Sequence, residues 1–214
     1  MDPIIAPLFF IAILVMSVVI HEVSHGFAAE KMGDPTARLA GRLTLNPIPH
    51  IDLLGSIILP ALLFLTNAGF LFGWAKPVPY NPYNLKYPKW GPALVALAGP
   101  VSNILIALIF GMVIRFGDAL SLSQSFSDIS AYIVQLNILL AVFNMIPIPP
   151  LDGSKVLAAF LPYRYMHIMD SLQQYGFFIV LFVVIFAWRP VIAPINATFG
   201  LRPKFLTNNS IDIQ

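Results

Sequence analysis

Residues 21–25 read His-Glu-x-x-His, and three of those five side chains can do metal chemistry. In a helix, His21 and His25 stand one turn apart, about 6 Å along the axis and within roughly 40° of each other. Both imidazoles can therefore reach one metal ion. Glu22 projects about 100° away, where it can hold a water on that metal rather than bind the ion itself. The chain has only four His and two Glu, which makes a chance match improbable, on the order of one in a thousand. The competing reading is a pair of core histidines with a coincidental Glu. Three unpartnered polar groups in an apolar helix would be costly in lipid, and that favours the metal.

Two histidines do not complete a zinc site, because catalytic zinc usually takes three protein ligands and a water. A His six residues after His25 would supply one known pattern, but position 31 is Lys. The candidates are Glu30, His50, Asp52, Asp152, His167 and Asp170. Glu30 lies about 140° round the helix from His25 and faces elsewhere. His50, Asp52, His167 and Asp170 lie in or near polar loops, where solvation is the ordinary expectation. Asp152 stands apart. Its flank, Asn144-Met145-Ile146-Pro147-Ile148-Pro149-Pro150-Leu151, is apolar after Asn144. Non-helical backbone at membrane depth must be buried in protein or line a cavity, and a carboxylate there is a functional candidate by default. Asp152 also suits the N-cap of a helix over 154–161, and one carboxylate can do both. Asn103 has two readings, a contact with substrate backbone or oxyanion and an interhelical hydrogen bond. Asn144 is read as satisfying carbonyls freed by the prolines that follow it.

The elements that must position these residues are membrane helices. The 214 residues are 58% hydrophobic and 10% charged, with a mean hydropathy of +0.81, whereas soluble domains carry about a quarter charged residues. The class is an all-α, multi-pass membrane protein. The net charge of +2 forms no polybasic run, so nothing suggests nucleic acid. With no Cys, disulfides, thiolate metal sites and a Cys nucleophile are excluded. About five membrane helices are expected, over 4–31, 53–72, 93–116, 129–146 and 163–188. The segment 53–72, interrupted by Gly55, Pro60 and Gly69, is broken or re-entrant. His21, His25 and Asp152 all sit toward the C-terminal ends of their helices. One of the three intervening apolar segments should therefore enter and leave by the same face, and 53–72 is the best candidate. Alternation in Gly41-Arg42-Leu43-Thr44-Leu45 predicts a short strand. Residues 73–90, with two Trp, three Tyr and many prolines, read as backbone at the membrane–water interface. Residues 117–128 read as a polar loop. A single domain over 1–202 and a flexible tail over 203–214 complete the expectation.

His21-Glu22-x-x-His25 in a membrane helix, with Asn144-x-x-Pro147-x-Pro149-Pro150-Leu151-Asp152-Gly153 and Ala98-Gly99-Pro100-x-x-Asn103, resembles the site-2 protease family of intramembrane zinc metalloproteases. The resemblance covers about residues 18–160, in the short form without PDZ or CBS domain. It implies one Zn2+ held by His21, His25 and Asp152, with Glu22 as catalytic acid/base. The implied partners are the lipid bilayer and a membrane-protein substrate with a transmembrane helix. The implied location is a prokaryotic cell (inner) membrane. Such a substrate must unwind before attack, and its freed backbone could pair with an edge at 72–81 or 41–45. Two other classes compete. A zinc protease acting on soluble or lipidated peptides usually takes a Glu as third ligand, and the only other Glu here is Glu30. A metal-binding or transport protein without proteolysis would not need Glu22.

Overall fold

The computed structural model describes residues 5–66, 73–162, 164 and 166–182. The chain forms α1 (Ile5–Lys31), a short α2 (Thr36–Leu39), a π-helical turn (Leu53–Ile58) running into α3 (Leu59–Leu65), then α4 (Gly91–Arg115), α5 (Gln124–Asn144), α6 (Asp152–Phe160) and α7 (Met166–Phe182). Among the described residues three helices are long and apolar enough to cross a membrane: Leu8–Lys31, Gly91–Arg115 and Gln124–Asn144. The described part of α7 has 17 residues, and the rest of the expected 163–188 helix lies outside the described residues. So do 190–202 and the tail 203–214.

Helix α4 is the centre of the bundle and packs against α1, α5 and α6. Its buried face carries Ala93, Ala96, Gly99 and Ala107. Small side chains let helix backbones approach closely where lipid supplies no hydrophobic drive between helices. The outer faces remain apolar and exposed, as at Leu105, Leu108 and Ile109 of α4, which suits contact with acyl chains.

Around this bundle runs a belt of irregular backbone, residues 33–56 and 73–90. Helix α1 ends at Gly33 (φ +103°), where Asp34 N donates to the Ala29 carbonyl and Gly33 N to Glu30. The same termination recurs after α2, with Gly41 at φ +65° and Arg42 N donating to the Ala37 carbonyl. These are left-handed helix caps that only glycine adopts without cost. They overturn the expected strand at 41–45. The alternation there was read as period two, but Gly41 closes a helical turn and Asn46 N then turns back onto Thr44 Oγ1. Among the described residues there is no strand. The expected loop 117–128 is also shorter than read, because Ser123 caps α5 through the Phe126 amide and starts that helix five residues early.

After Asp52 the described chain forms a 13-residue helical stretch, six residues of π-helical turn and seven of α3. At about 1.5 Å per residue those 13 residues by themselves are shorter than a bilayer crossing, and 67–72 lie outside the described residues. Trp74 N donates to the Gly55 carbonyl (3.2 Å) and Ser56 Oγ to the Trp74 carbonyl (2.8 Å). Trp74 lies so close over Gly55 that a Cβ there would stand 2.3 Å from the indole.

Candidate metal centre

Helix α1 puts His21 and His25 on one face, with ring centroids 4.7 Å apart. Helix α4 faces them with Gly99, where a Cβ would stand 2.5 Å from His21 Nε2 and from His25 Cε1. Nothing larger than glycine leaves room for two imidazoles there. Helix α6 supplies Asp152, whose Oδ2 lies 3.1 Å from His21 Nε2 and 3.2 Å from His25 Nε2. The three side chains come together from positions 131 and 127 residues apart in the chain. All three are buried.

The other nitrogen of each ring is engaged. His25 Nδ1 donates to the Val95 carbonyl at 2.7 Å, and His21 Nδ1 donates to Asn103 Oδ1 at 2.5 Å. With the proton on Nδ1, each neutral imidazole turns the Nε2 lone pair inward. Two such lone pairs and a carboxylate oxygen then face one another, and they repel unless a cation sits between them. Zinc bonds of 2.0–2.1 Å make the edge of a tetrahedron about 3.3–3.4 Å long. The observed 3.1 and 3.2 Å are within a few tenths of that. The donor set, its spacing and its outer hydrogen bonds therefore fit zinc.

Glu22 has an oxygen within 4.8 Å of the imidazole nitrogens, and its Oε2 accepts from Val78 N at 2.9 Å. Asp152 opens α6, yet it is not its cap. The residue before it, Leu151, is the N-cap, without a side-chain bond, and Asp152 Oδ1 looks instead to Lys155 Nζ, 3.5 Å away. Asn103 is wholly buried, and its Nδ2 donates to Asn137 Oδ1 at 2.8 Å. That is the interhelical arrangement, with neither end of the amide turned to an open surface.

The other ligand candidates lie elsewhere. Glu30 pairs with Arg38, through Nη2 at 2.8 Å and through Nε. Asp52 accepts from Gly55 N and caps the π-helical turn. His50 is buried and bonds the Thr44 carbonyl. His167 is exposed, and the side chain of Asp170 lies outside the described ones. Sequence reasoning passed over Asn137 and Ser17, which continue the hydrogen bonds behind Asn103. An Asn at mid-span in α5 was the available signal, since intramembrane polar groups are costly.

Comparison with known proteins adds an independent line. Residues 114–187, which include Asp152, match peptidase family M50. The chain is 38% identical over 183 residues to YwhC of Bacillus subtilis, covering 82% of this chain and 80% of that protein. It is 31% identical over 171 residues to Rip2 of Mycolicibacterium smegmatis, covering 79% and 64%. With MJ0392 of Methanocaldococcus jannaschii the identity is 24% over 164 residues, covering 74% and 36%. The names of all three describe zinc metalloproteases. No solved structure is a significant match. A zinc-fitting His-Glu-x-x-His site inside three apolar helices, and a relative this similar over most of both chains, give one answer: the chain belongs to peptidase family M50, the site-2 protease family, and is an integral-membrane zinc metalloprotease.

Proposed function

We propose that the protein is an intramembrane endopeptidase that cuts transmembrane segments of other membrane proteins, with zinc held by His21 Nε2, His25 Nε2 and Asp152 Oδ2. The observation that carries this is the convergence of those three atoms within about 3 Å, beside a helix long and apolar enough to span. Zinc, when bound, lowers the pKa of its water toward about 7 and polarises a peptide carbonyl. Glu22 takes the proton of the attacking water on its carboxylate and later delivers it to the leaving amine nitrogen. The Val78 amide fixes the direction of that carboxylate. The relatives in bacteria and an archaeon support a prokaryotic cell membrane as its place.

The substrate's unwound backbone is expected to run beside residues 75–79, which lie against Glu22. Lys76 is already anchored on both sides, its N–H to the His50 carbonyl and its carbonyl to Arg42 Nη2. Pro77 and Pro79 have no N–H, so this edge offers carbonyls. Co-expression with single-span membrane proteins is the test. Wild type should cut within the span, and Glu22→Gln should leave the substrate whole while keeping its metal. Cleavage by Glu22→Gln near the wild-type rate would remove the acid/base assignment.

Residues 53–72 are proposed to re-enter, so that the belt stays on one face. The hydrogen bonds that join Gly55 and Ser56 to Trp74 support this. The chain has no Cys, so single cysteines at Arg38, Asn84 and Ser123 can be labelled with an impermeant thiol reagent in oriented vesicles. Positions 38 and 84 should label from the same face and 123 from the other. Labelling of 38 and 84 from opposite faces would mean that the segment spans.

A further inference from the structure

Three buried polar side chains in the bundle lie behind the metal ligands: Asn103 on α4, Asn137 on α5 and Ser17 on α1, at 0%, 0% and 4% exposure. Polar groups at that depth are costly unless hydrogen-bonded. Their bonds form one chain. Asn137 Nδ2 donates to the Ile133 carbonyl at 2.9 Å and to Ser17 Oγ at 3.1 Å. Asn137 Oδ1 accepts from Asn103 Nδ2 at 2.8 Å. Asn103 Oδ1 accepts from His21 Nδ1 at 2.5 Å.

The direction of this chain follows from its far end. A backbone carbonyl only accepts, so the Asn137 atom beside Ile133 must be its NH2 group. That turns the Asn137 oxygen toward Asn103. The Asn103 atom facing an amide oxygen must donate, so the Asn103 oxygen is turned toward His21. Only a protonated Nδ1 satisfies it, which in the neutral ring leaves Nε2 as the lone pair aimed at Asp152. His25 reaches the same state directly, through the Val95 carbonyl. The two supports differ in one respect. The carbonyl of a helix cannot reverse, whereas an asparagine amide can turn over and present NH2. A reversed Asn103 would favour the Nε2–H tautomer of His21, which cannot bind metal through Nε2.

We infer that Asn137 and Ser17 are positioning residues for the metal centre: they lock the Asn103 amide, and Asn103 locks the His21 tautomer. This rests on His21 being a zinc ligand, as proposed above. Outer groups that orient a ligating imidazole are typically worth 10–100-fold in metal affinity.

The test uses the full chain in detergent with 15N-labelled histidine, which gives only four side chains to resolve. Tautomers are read at a pH where imidazole is neutral, in metal-free protein carrying Asp152→Ala, which removes the carboxylate that would otherwise hold a proton on Nε2, and zinc affinity is read with Asp152 in place, by competition with a chelator. With Asn103 and Asn137 intact, His21 and His25 should both be Nδ1–H. Asn137→Leu should shift His21 toward a mixture, leave His25 unchanged and weaken zinc about 10-fold. Asn103→Leu should weaken it by about 10–100-fold, and Asn103→Asp, which as a neutral buried acid donates its O–H to Asn137 Oδ1 and accepts from His21 Nδ1, should restore tight binding. The inference is overturned if Asn137→Leu keeps a pure Nδ1–H His21 and wild-type affinity. If Asn137→Leu also disturbs His25, the fold has moved and the Asn103 pair decides: Asp binding no tighter than Leu overturns it. His21→Ala separates the two ideas. Loss of zinc there beside an unaffected Asn137→Leu rejects the relay alone, and retention of zinc rejects the ligand assignment.

Discussion

The helical bundle and the belt around it hold their functional groups by different means. In the bundle, helix geometry does the placing. His21 and His25 share a face because they are one turn apart, and Gly99 on α4 makes room for both rings. In the belt, single side chains bond to distant backbone. Asp34 accepts from Thr36, from Asn81 N at 2.6 Å and from Asn84 Nδ2 at 2.9 Å. Arg42, buried without a carboxylate partner among the described residues, donates to the Lys76 carbonyl at 2.7 Å. The bundle thus builds the metal site, and the belt holds residues 75–79 beside it. Damage to the bundle should cost metal, and damage to the belt should spare it.

The largest effect that sharpens this contrast is expected at Gly99. Gly→Ala in a helix interior ordinarily gains up to about 1 kcal/mol. Here the added Cβ would strike both imidazoles, and a displacement near 1 Å at a reacting centre costs on the order of 100-fold in rate. Gly99→Ala should lose activity by about that factor and bind zinc more weakly, with its helical circular dichroism unchanged. Wild-type activity and zinc content in Gly99→Ala would show that α4 does not confine the rings.

A smaller effect belongs to the belt. Burial alone would raise the pKa of Asp34, but hydrogen bonds from Thr36, Asn84 and Asn81 outweigh it and hold the carboxyl below its ordinary value. A carboxyl depressed in the folded state contributes stability above its unfolded pKa, about 3.9, and loses it as pH falls through the folded value. The belt should therefore loosen in acid, below about pH 4. At neutral pH, Asp34→Asn turns an NH2 group toward donors and should cost the belt about 1–3 kcal/mol. Hydrogen exchange at the Asn81 amide measures this, with zinc content taken in parallel. Faster exchange with full zinc is the expected pair of results. Zinc lost in step with Asn81 protection would mean that belt and bundle are one cooperative unit.

What could be read from the sequence divides along the same line. His21, Glu22 and His25 were legible because a helix converts their spacing directly into geometry. Asp152 stood out because its carboxylate follows a proline-broken apolar stretch, and the structure brings it to the two histidines rather than to the N-cap that was its other reading. The three long helices were legible from hydropathy. The belt was not. The bonds from Asp34 to Asn81 and from Arg42 to Lys76 join residues 47 and 34 apart, and no local period announces them. The predicted strand at 41–45 failed for that reason: period two was counted across a glycine that ends a helical turn. Asn103 stood undecided because one residue cannot reveal that Asn137, on another helix, holds its far end.

Metal content of purified variants tests the central claim most directly. Elemental analysis of wild type, Glu22→Gln, Glu30→Ala and Asp152→Ala should find about one zinc per chain in the first three and a marked loss in the last. Full zinc and full proteolysis in Asp152→Ala, with both lost in Glu30→Ala, would contradict the assignment of Asp152 as the third ligand.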